Sequence, residues 1–215
     1  MKDDPPVPNL DLLLNAFVTL LVTIDPPGLA PLFLALTGGM NRAERFQVSL
    51  RGSIIGFSIL ALFAVAGAQI LSMFGITLAA FRIAGGLLLF WISFEMIFAL
   101  RQDRKGKSAD AAITIDHIRN IAAFPLALPL IAGPGAISAT VLLSSSFPAF
   151  TGTMMLLGIL AACLTITFVV LVLAERIDQF LGETGRSILT RLLGVILAAL
   201  AVQFVADGIK ALAVA

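Results

Sequence analysis

The stretch Thr23-Ile24-Asp25-Pro26-Pro27-Gly28 places one carboxylate and two adjacent prolines inside an otherwise apolar run. Leu10 to Ile24 is apolar enough to enter a bilayer, and Ala30 to Leu36 continues in the same style. A carboxylate is expensive in hydrocarbon, so Asp25 must face protein or a water-filled cavity rather than lipid. Pro26 and Pro27 lack the N–H that a helix ladder needs, and each restrains the residue before it. Gly28 has no β-carbon, which permits unusual backbone angles and lets a ligand approach the main chain. These residues predict a helix broken part-way through the membrane, with a second piece starting around Gly28 to Ala30. The start of a helix has unpaired N–H groups and a partial positive charge, which suits a carboxylate or another anion. Irregular backbone at membrane depth is tolerated only where it lines a cavity or is buried in protein. The stretch therefore reads as a binding site.

Composition says which kind of protein carries it. The chain is 59% hydrophobic with a mean hydropathy of +1.04, and only 13% of it is charged, about half the usual share. Asn120 to Ala174 contains no charged residue at all, which excludes an ordinary water-soluble fold and makes this a polytopic membrane protein. The single cysteine, Cys163, lies in an apolar segment, so no disulfide framework or thiolate metal cluster is possible, and it reads as a small buried or lipid-facing residue. The N-terminal Met1-Lys2-Asp3-Asp4-Pro5-Pro6 is acidic, unlike the positive start of a cleaved signal. The first span is expected to serve as its own uncleaved signal.

About twenty apolar residues cross a bilayer, and six segments qualify. They run from about Leu10 to Thr37, Ser53 to Phe74, Ile76 to Leu100, Asn120 to Leu143, Thr151 to Ala174 and Ser187 to Val214. Polar connections are expected over Gly38 to Arg51, Arg101 to Arg119 and Glu175 to Arg186. Six crossings put Lys2, Arg82 and Lys210 on one side and the other eleven of the fourteen basic residues opposite. By the positive-inside rule both termini lie outside the cytoplasm.

Pro27-Gly28 and Pro134-Gly135 stand 107 positions apart, each in the first span of its half. Arg82-x-x-Gly85 and Arg191-x-x-Gly194 match at an offset of 109, each at the start of a third span. Matches in the same order and register indicate two homologous halves, residues 1–100 and 120–215, around a cytoplasmic linker at 101–119. Three spans is an odd number, so the second half must enter the membrane upside down. The expected fold is all-α, with six transmembrane helices in two inverted three-helix repeats and helices 1 and 4 discontinuous. Broken helices in corresponding places of inverted repeats point to the site of a secondary transporter.

These motifs carry a resemblance. Asp25-Pro26-Pro27-Gly28 is similar to the Asp-Pro-x-Gly motif in the first span of the MarC family of bacterial inner-membrane proteins. The stretch from Phe124 to Ile137, with Gly133-Pro134-Gly135 at its centre, resembles that family's fourth-span motif. Arg82 to Gly86 and Arg191 to Gln203 resemble its third- and sixth-span patterns. The likeness spans nearly the whole chain, with Pro27 standing where many members carry an aliphatic residue. It implies an inner-membrane protein, in which the orientation read from charge makes both termini periplasmic, and, from relatives described as transporters, small neutral amino acids such as glycine and alanine as substrates.

The candidate substrate-binding residues are Asp25, Pro27, Gly28, Gly133, Pro134, Gly135 and Gln203. Asp25, Arg82 and Arg191 are candidates for ion coupling or gating. Asp25 has four roles open to it: carrying a proton, coordinating a cation, pairing with an arginine, or capping the following half-helix. Fifteen helical residues precede it, about 22 Å of rise, which puts it nearer the level of Arg191 than of Arg82. Either arginine could instead snorkel to the interface. Gln203 fits interhelical hydrogen bonding as well as substrate contact. Asn15, Thr19, Thr23, Ser138 and Thr140 flank the breaks, although such hydroxyls often bond only their own helix. Glu95 and Asp207 sit near span ends and read as interfacial, and His117 in the linker reads as solvated.

No histidine lies in a span, and H-E-x-x-H and Walker A patterns are absent, so an enzyme is not expected. No cofactor is expected beyond a coupling H+ or Na+, no metal, and no nucleic-acid partner. A channel or exporter for another small solute, or a membrane scaffold, is the alternative reading.

Overall fold

The computed structural model describes residues 10–38, 40–98, 100 and 121–214. The linker expected at 101–119 and its His117 lie outside them. Among the described residues the structure is helical, with no strand. Its elements are α1 (Leu10–Ile24), α2 (Pro26–Leu36), α3 (Arg42–Met73) and α4 (Leu78–Ile97), then an irregular π-wound segment, π1 (Ala122–Ile131). They are followed by α5 (Pro134–Ser144), α6 (Ala149–Val172) and α7 (Ala174–Val214). Five spans are long and apolar enough to cross a membrane, and π1 with α5, bent by 59°, makes a sixth.

Both expected discontinuities are present, and they differ in kind. The first span runs from Leu10 to Leu36 and is interrupted only at Asp25, which takes left-handed backbone angles (φ 59°, ψ 63°). The second is more irregular: Phe124 and Leu128 leave the helical region, and the bonds preceding Pro125 and Pro129 are cis.

The two interrupted spans sit at the centre. In its most apolar 18-residue stretch the first is 61% buried, against 22% for that of Ser187–Ala213, and eight of the eleven residues of α5 are buried. The long, regular helices α3, α4 and α6 and the Ser187–Ala213 span of α7 surround them and turn apolar side chains such as Ile54, Trp91, Ile166 and Val195 outward. That division follows from hydrogen bonding: unbroken helices satisfy their own backbone and can meet lipid, whereas broken ones need protein around them.

Small residues bring the helices together. On α3, Gly52, Gly56 and Gly67 face Leu126, Ile131 and Val141, so α3 runs beside π1 and α5 in the same direction. On the opposite side the Cys163 thiol of α6 donates to the Phe17 carbonyl of α1 at 3.7 Å, and Phe33 of α2 and Leu171 of α6 line one pocket. The helices α4 and α7 pack antiparallel along Gly86, Gly194 and Gly208. A β-carbon at Gly86 would lie 2.9 Å from the Ala201 carbonyl, and one at Gly194 3.2 Å from that of Ser93. Lipid offers apolar groups as good a home as protein does, so such close backbone approach supplies much of the packing.

Two boundaries differ from the sequence reading. Gly38 to Arg51, expected as a polar connection, is helical from Arg42, so α3 has 32 residues and rises about 48 Å, well beyond an apolar core of about 30 Å. A capping box starts it: the Asn41 side chain accepts from the Glu44 N–H at 3.0 Å, and the Glu44 carboxylate from the Asn41 N–H at 2.8 Å. Glu175 to Arg186, expected as a loop, is also helical, with one interruption at Gly182 (φ 59°).

Candidate substrate site at the two helix breaks

At the first break a side chain closes the helix end. The Asp25 Oδ1 accepts from the Gly28 N–H at 3.2 Å, and the Asp25 carbonyl accepts from the Leu29 N–H at 3.1 Å. Pro26 and Pro27 have no N–H to offer. The first turn of α2 therefore has no open donor. A left-handed angle is uncommon for any residue but glycine, and aspartate tolerates it because its short carboxylate bonds locally. Gly28 is required by this cap, since the Asp25 carboxylate occupies the place where its β-carbon would lie. The open helix end expected at Gly28 is thus found to be occupied by Asp25, which is 1% exposed and acts as a cap.

At the second break the helix end is open. Gly133, extended at φ −76° and ψ 172°, precedes α5, and no side chain caps it. Pro134 occupies the first helical position, and the first closing bond runs from the Ile137 N–H to the Gly133 carbonyl at 3.0 Å. The N–H groups of Gly135 and Ala136 make no hydrogen bond among the described residues, although both residues are buried. One turn along, Ser138 is 8% exposed and its hydroxyl makes no hydrogen bond among the described residues. Thr140 differs, donating to its own helix at the Ala136 carbonyl, 2.7 Å away. Gly133 leaves no room for a side chain: a β-carbon there would lie 2.6 Å from the Pro129 carbonyl.

The fold brings the two breaks together. A β-carbon on Gly135 would meet Thr23 Cγ2 at 3.3 Å, two residues before Asp25, and would collide with Ile92 Cδ1 of α4. Thr23 donates to the Thr19 carbonyl at 2.6 Å, and Thr19 to Asn15 Oδ1 at 3.4 Å, forming a polar line up one face of α1. The buried Asp25, Gly28 and Gly135, the half-buried Pro27 and Gly133, and the exposed Pro134 therefore belong to the paired breaks.

Three other candidates are not part of this group. Gln203 is exposed on α7 and donates to Asp207 Oδ1 at 2.9 Å, one turn along its own helix. Arg82 donates to Ser145 Oγ at 2.9 Å, at the far end of α5 from Gly135. Arg191 is exposed, in contrast to the buried Asp25.

Two residues of α4 had no clear signal in the sequence. Ile92, which covers Gly135, looks like any other apolar position in the span. Glu95, expected at the interface, is 6% exposed and accepts from Trp91 Nε1 at 3.1 Å, one turn from Ile92. A buried carboxylate in a membrane helix marks a functional region by default.

Comparison with known proteins gives a consistent match. The model of the family described as MarC family integral membrane protein covers residues 10–213. A UPF0056 membrane protein of Archaeoglobus fulgidus is 40% identical over 203 residues, covering 93% of each chain. UPF0056 membrane protein MJ1677 of Methanocaldococcus jannaschii is 36% identical, covering 94% of this chain and 98% of its own. UPF0056 membrane protein YvbG of Bacillus subtilis is 32% identical, covering 92% and 94%. No solved structure matches.

Proposed function

The chain belongs to the MarC family of integral membrane proteins, and we propose that it is a secondary transporter of small neutral amino acids that works by alternating access. The observation that carries this reading is the uncapped start of α5. Two backbone N–H groups and the Ser138 hydroxyl stand uncommitted at the buried centre of the bundle, against the first break. A substrate carboxylate would accept from Gly135 and Ala136, where the helix end favours negative charge. The family resemblance supplies the amino-acid class, and the tight fit of Ile92 and Thr23 on Gly135 favours members with little side chain, such as glycine and alanine. Ile92 covers the site in this conformation, so α4 must withdraw for substrate to enter.

The inverted repeat is part of this proposal, and reciprocal packing supports it. Gly52 of α3 meets Leu126 of π1, while Phe17 of α1 meets Cys163 of α6. Adding about 109 to the first member of either pair leads to the neighbourhood of the other pair, as a two-fold axis in the membrane plane requires. Each broken span packs chiefly on long helices of the opposite half. The moving bodies would then combine elements of both halves, rather than being the sequence halves themselves. We place both termini on the periplasmic side of the cytoplasmic membrane, and assign Asp25 to coupling with H+ or Na+ in addition to its capping role.

Uptake of radiolabelled alanine into proteoliposomes tests the proposal. Saturable uptake driven by an imposed sodium or proton gradient is expected. Flux that does not saturate would favour a channel, and the absence of flux under every gradient would overturn the transport reading.

A further inference from the structure

At the end of the bundle where α2 and α6 finish and α3 and α7 start, a pocket of about 310 Å³ has a basic rim and an apolar wall. Three guanidinium groups, Arg42, Arg45 and Arg176, stand around it against one carboxylate, Glu175. Arg45 is committed: it forms an ion pair with Glu175, and its Nε donates to the Thr37 carbonyl at 3.4 Å. Arg42 and Arg176 are exposed, and neither guanidinium has a partner among the described residues. The rim therefore holds a surplus of two positive charges.

Next to this pocket an apolar groove of about 240 Å³ lies along α3 and α6. One helical stripe on α3 carries Arg42, then Phe46, Leu50, Ile54 and Phe57, at spacings of four, four, four and three. The facing stripe of α6 and the start of α7 carries Ala161, Thr165, Phe168, Val172 and Arg176. Phe46 lines the pocket, Phe168 lines the groove, and their rings pack edge to face at 5.5 Å, so the two spaces meet at this pair. Each stripe is charged at one end and, apart from Thr165, apolar along the rest, and both charged ends line the same pocket.

We infer that this surface is a binding site for an anionic phospholipid, with its phosphate between Arg42 and Arg176 and an acyl chain laid in the α3–α6 groove. Apolar helix faces meet lipid everywhere on such a protein, without selectivity. Two uncommitted cations at the mouth of a concave groove select an amphiphile with a negative head. Basic pockets between membrane helices recognise anionic head groups in this way, and arginine suits phosphate because its planar fork donates two parallel hydrogen bonds.

The test uses full-length protein reconstituted in nanodiscs of equimolar phosphatidylglycerol and phosphatidylcholine, then released for native mass spectrometry. Wild type should retain phosphatidylglycerol in preference to phosphatidylcholine. The Arg42→Gln/Arg176→Gln double variant should bind it roughly thirtyfold more weakly, because two basic contacts are lost. Thr165→Trp, at an exposed groove position, should weaken retention with the charges intact. The single glutamine variants provide the same reading at smaller amplitude if the double variant does not fold. Equal retention of both lipids, unchanged retention in the glutamine variants or in Thr165→Trp, or displacement by inorganic phosphate would each overturn the assignment. The last result would mean a site for free anions.

Discussion

Asp25 and Gly28 form one device: the Asp25 carboxylate accepts from the Gly28 N–H at 3.2 Å and fills the space that a Gly28 side chain would need. The charged residue that marks the first break therefore closes its own helix end, and the open end lies at the second break. The functional assignment of the two breaks follows from that asymmetry.

Asp25 and Gly28 should be energetically coupled. Asp25→Ala is expected to cost about 1 kcal/mol through loss of the cap, and Asp25→Asn less, since asparagine caps as well and also tolerates left-handed angles. Gly28→Ala forces the carboxylate aside and should cost about 1–3 kcal/mol. The double variant Asp25→Ala/Gly28→Ala should be less destabilised than the sum, by at least about 0.5 kcal/mol. Unfolding titrations in mixed micelles measure all four species.

Coupling through Asp25 separates its two roles. If the carboxylate carries the driving ion as well as the cap, Asp25→Asn should retain the fold while losing the dependence of uptake on pH or sodium. Initial rates across pH, with and without sodium, decide this. An unchanged dependence would reduce Asp25 to a cap.

The glycines of the α4–α7 contact should be far less tolerant than a lipid-facing one. Gly86→Ala would place a methyl group 2.9 Å from the Ala201 carbonyl and is expected to cost about 1–3 kcal/mol. Gly158→Ala, with nothing within 4 Å, should be neutral or stabilising by up to about 1 kcal/mol, as alanine is the better helix former. Melting temperatures in one detergent compare them directly.

Topology follows from the distribution of arginine and lysine. In a background with the buried Cys163 replaced by alanine, a cysteine at Lys210 should react with an impermeant maleimide from the periplasmic side. One at Arg176 should react only after permeabilisation. The reverse pattern would invert the orientation.

Much of this was legible in the sequence because hydrophobic length and helix-breaking residues act locally. Asp25-Pro26-Pro27 cannot continue a regular helix, and Gly133-Pro134-Gly135 cannot either, so both discontinuities could be placed to within a few residues. The charge of Arg42, Glu44, Arg45 and Arg51 masked a helix that starts at the Asn41–Glu44 capping box and extends beyond the apolar core. What could not be read depends on packing between distant elements. Capping by Asp25 was among the roles its local sequence allowed, but no local pattern says that Ile92 covers Gly135, or that Gln203 and Arg191 face outward. Glu95 was misplaced for the same reason: nearness to a span end does not determine which face of the helix it lies on.

The most direct test of the account is competition at the second break. Alanine uptake into proteoliposomes would be measured for wild type and Ser138→Ala against glycine, ethylamine and alaninamide, the last two lacking a carboxylate. Glycine should compete while ethylamine and alaninamide should not, and Ser138→Ala should lower affinity roughly tenfold, the worth of one hydrogen bond to a charged group. Equal competition by ethylamine, together with wild-type affinity in Ser138→Ala, would contradict a carboxylate site at the start of α5.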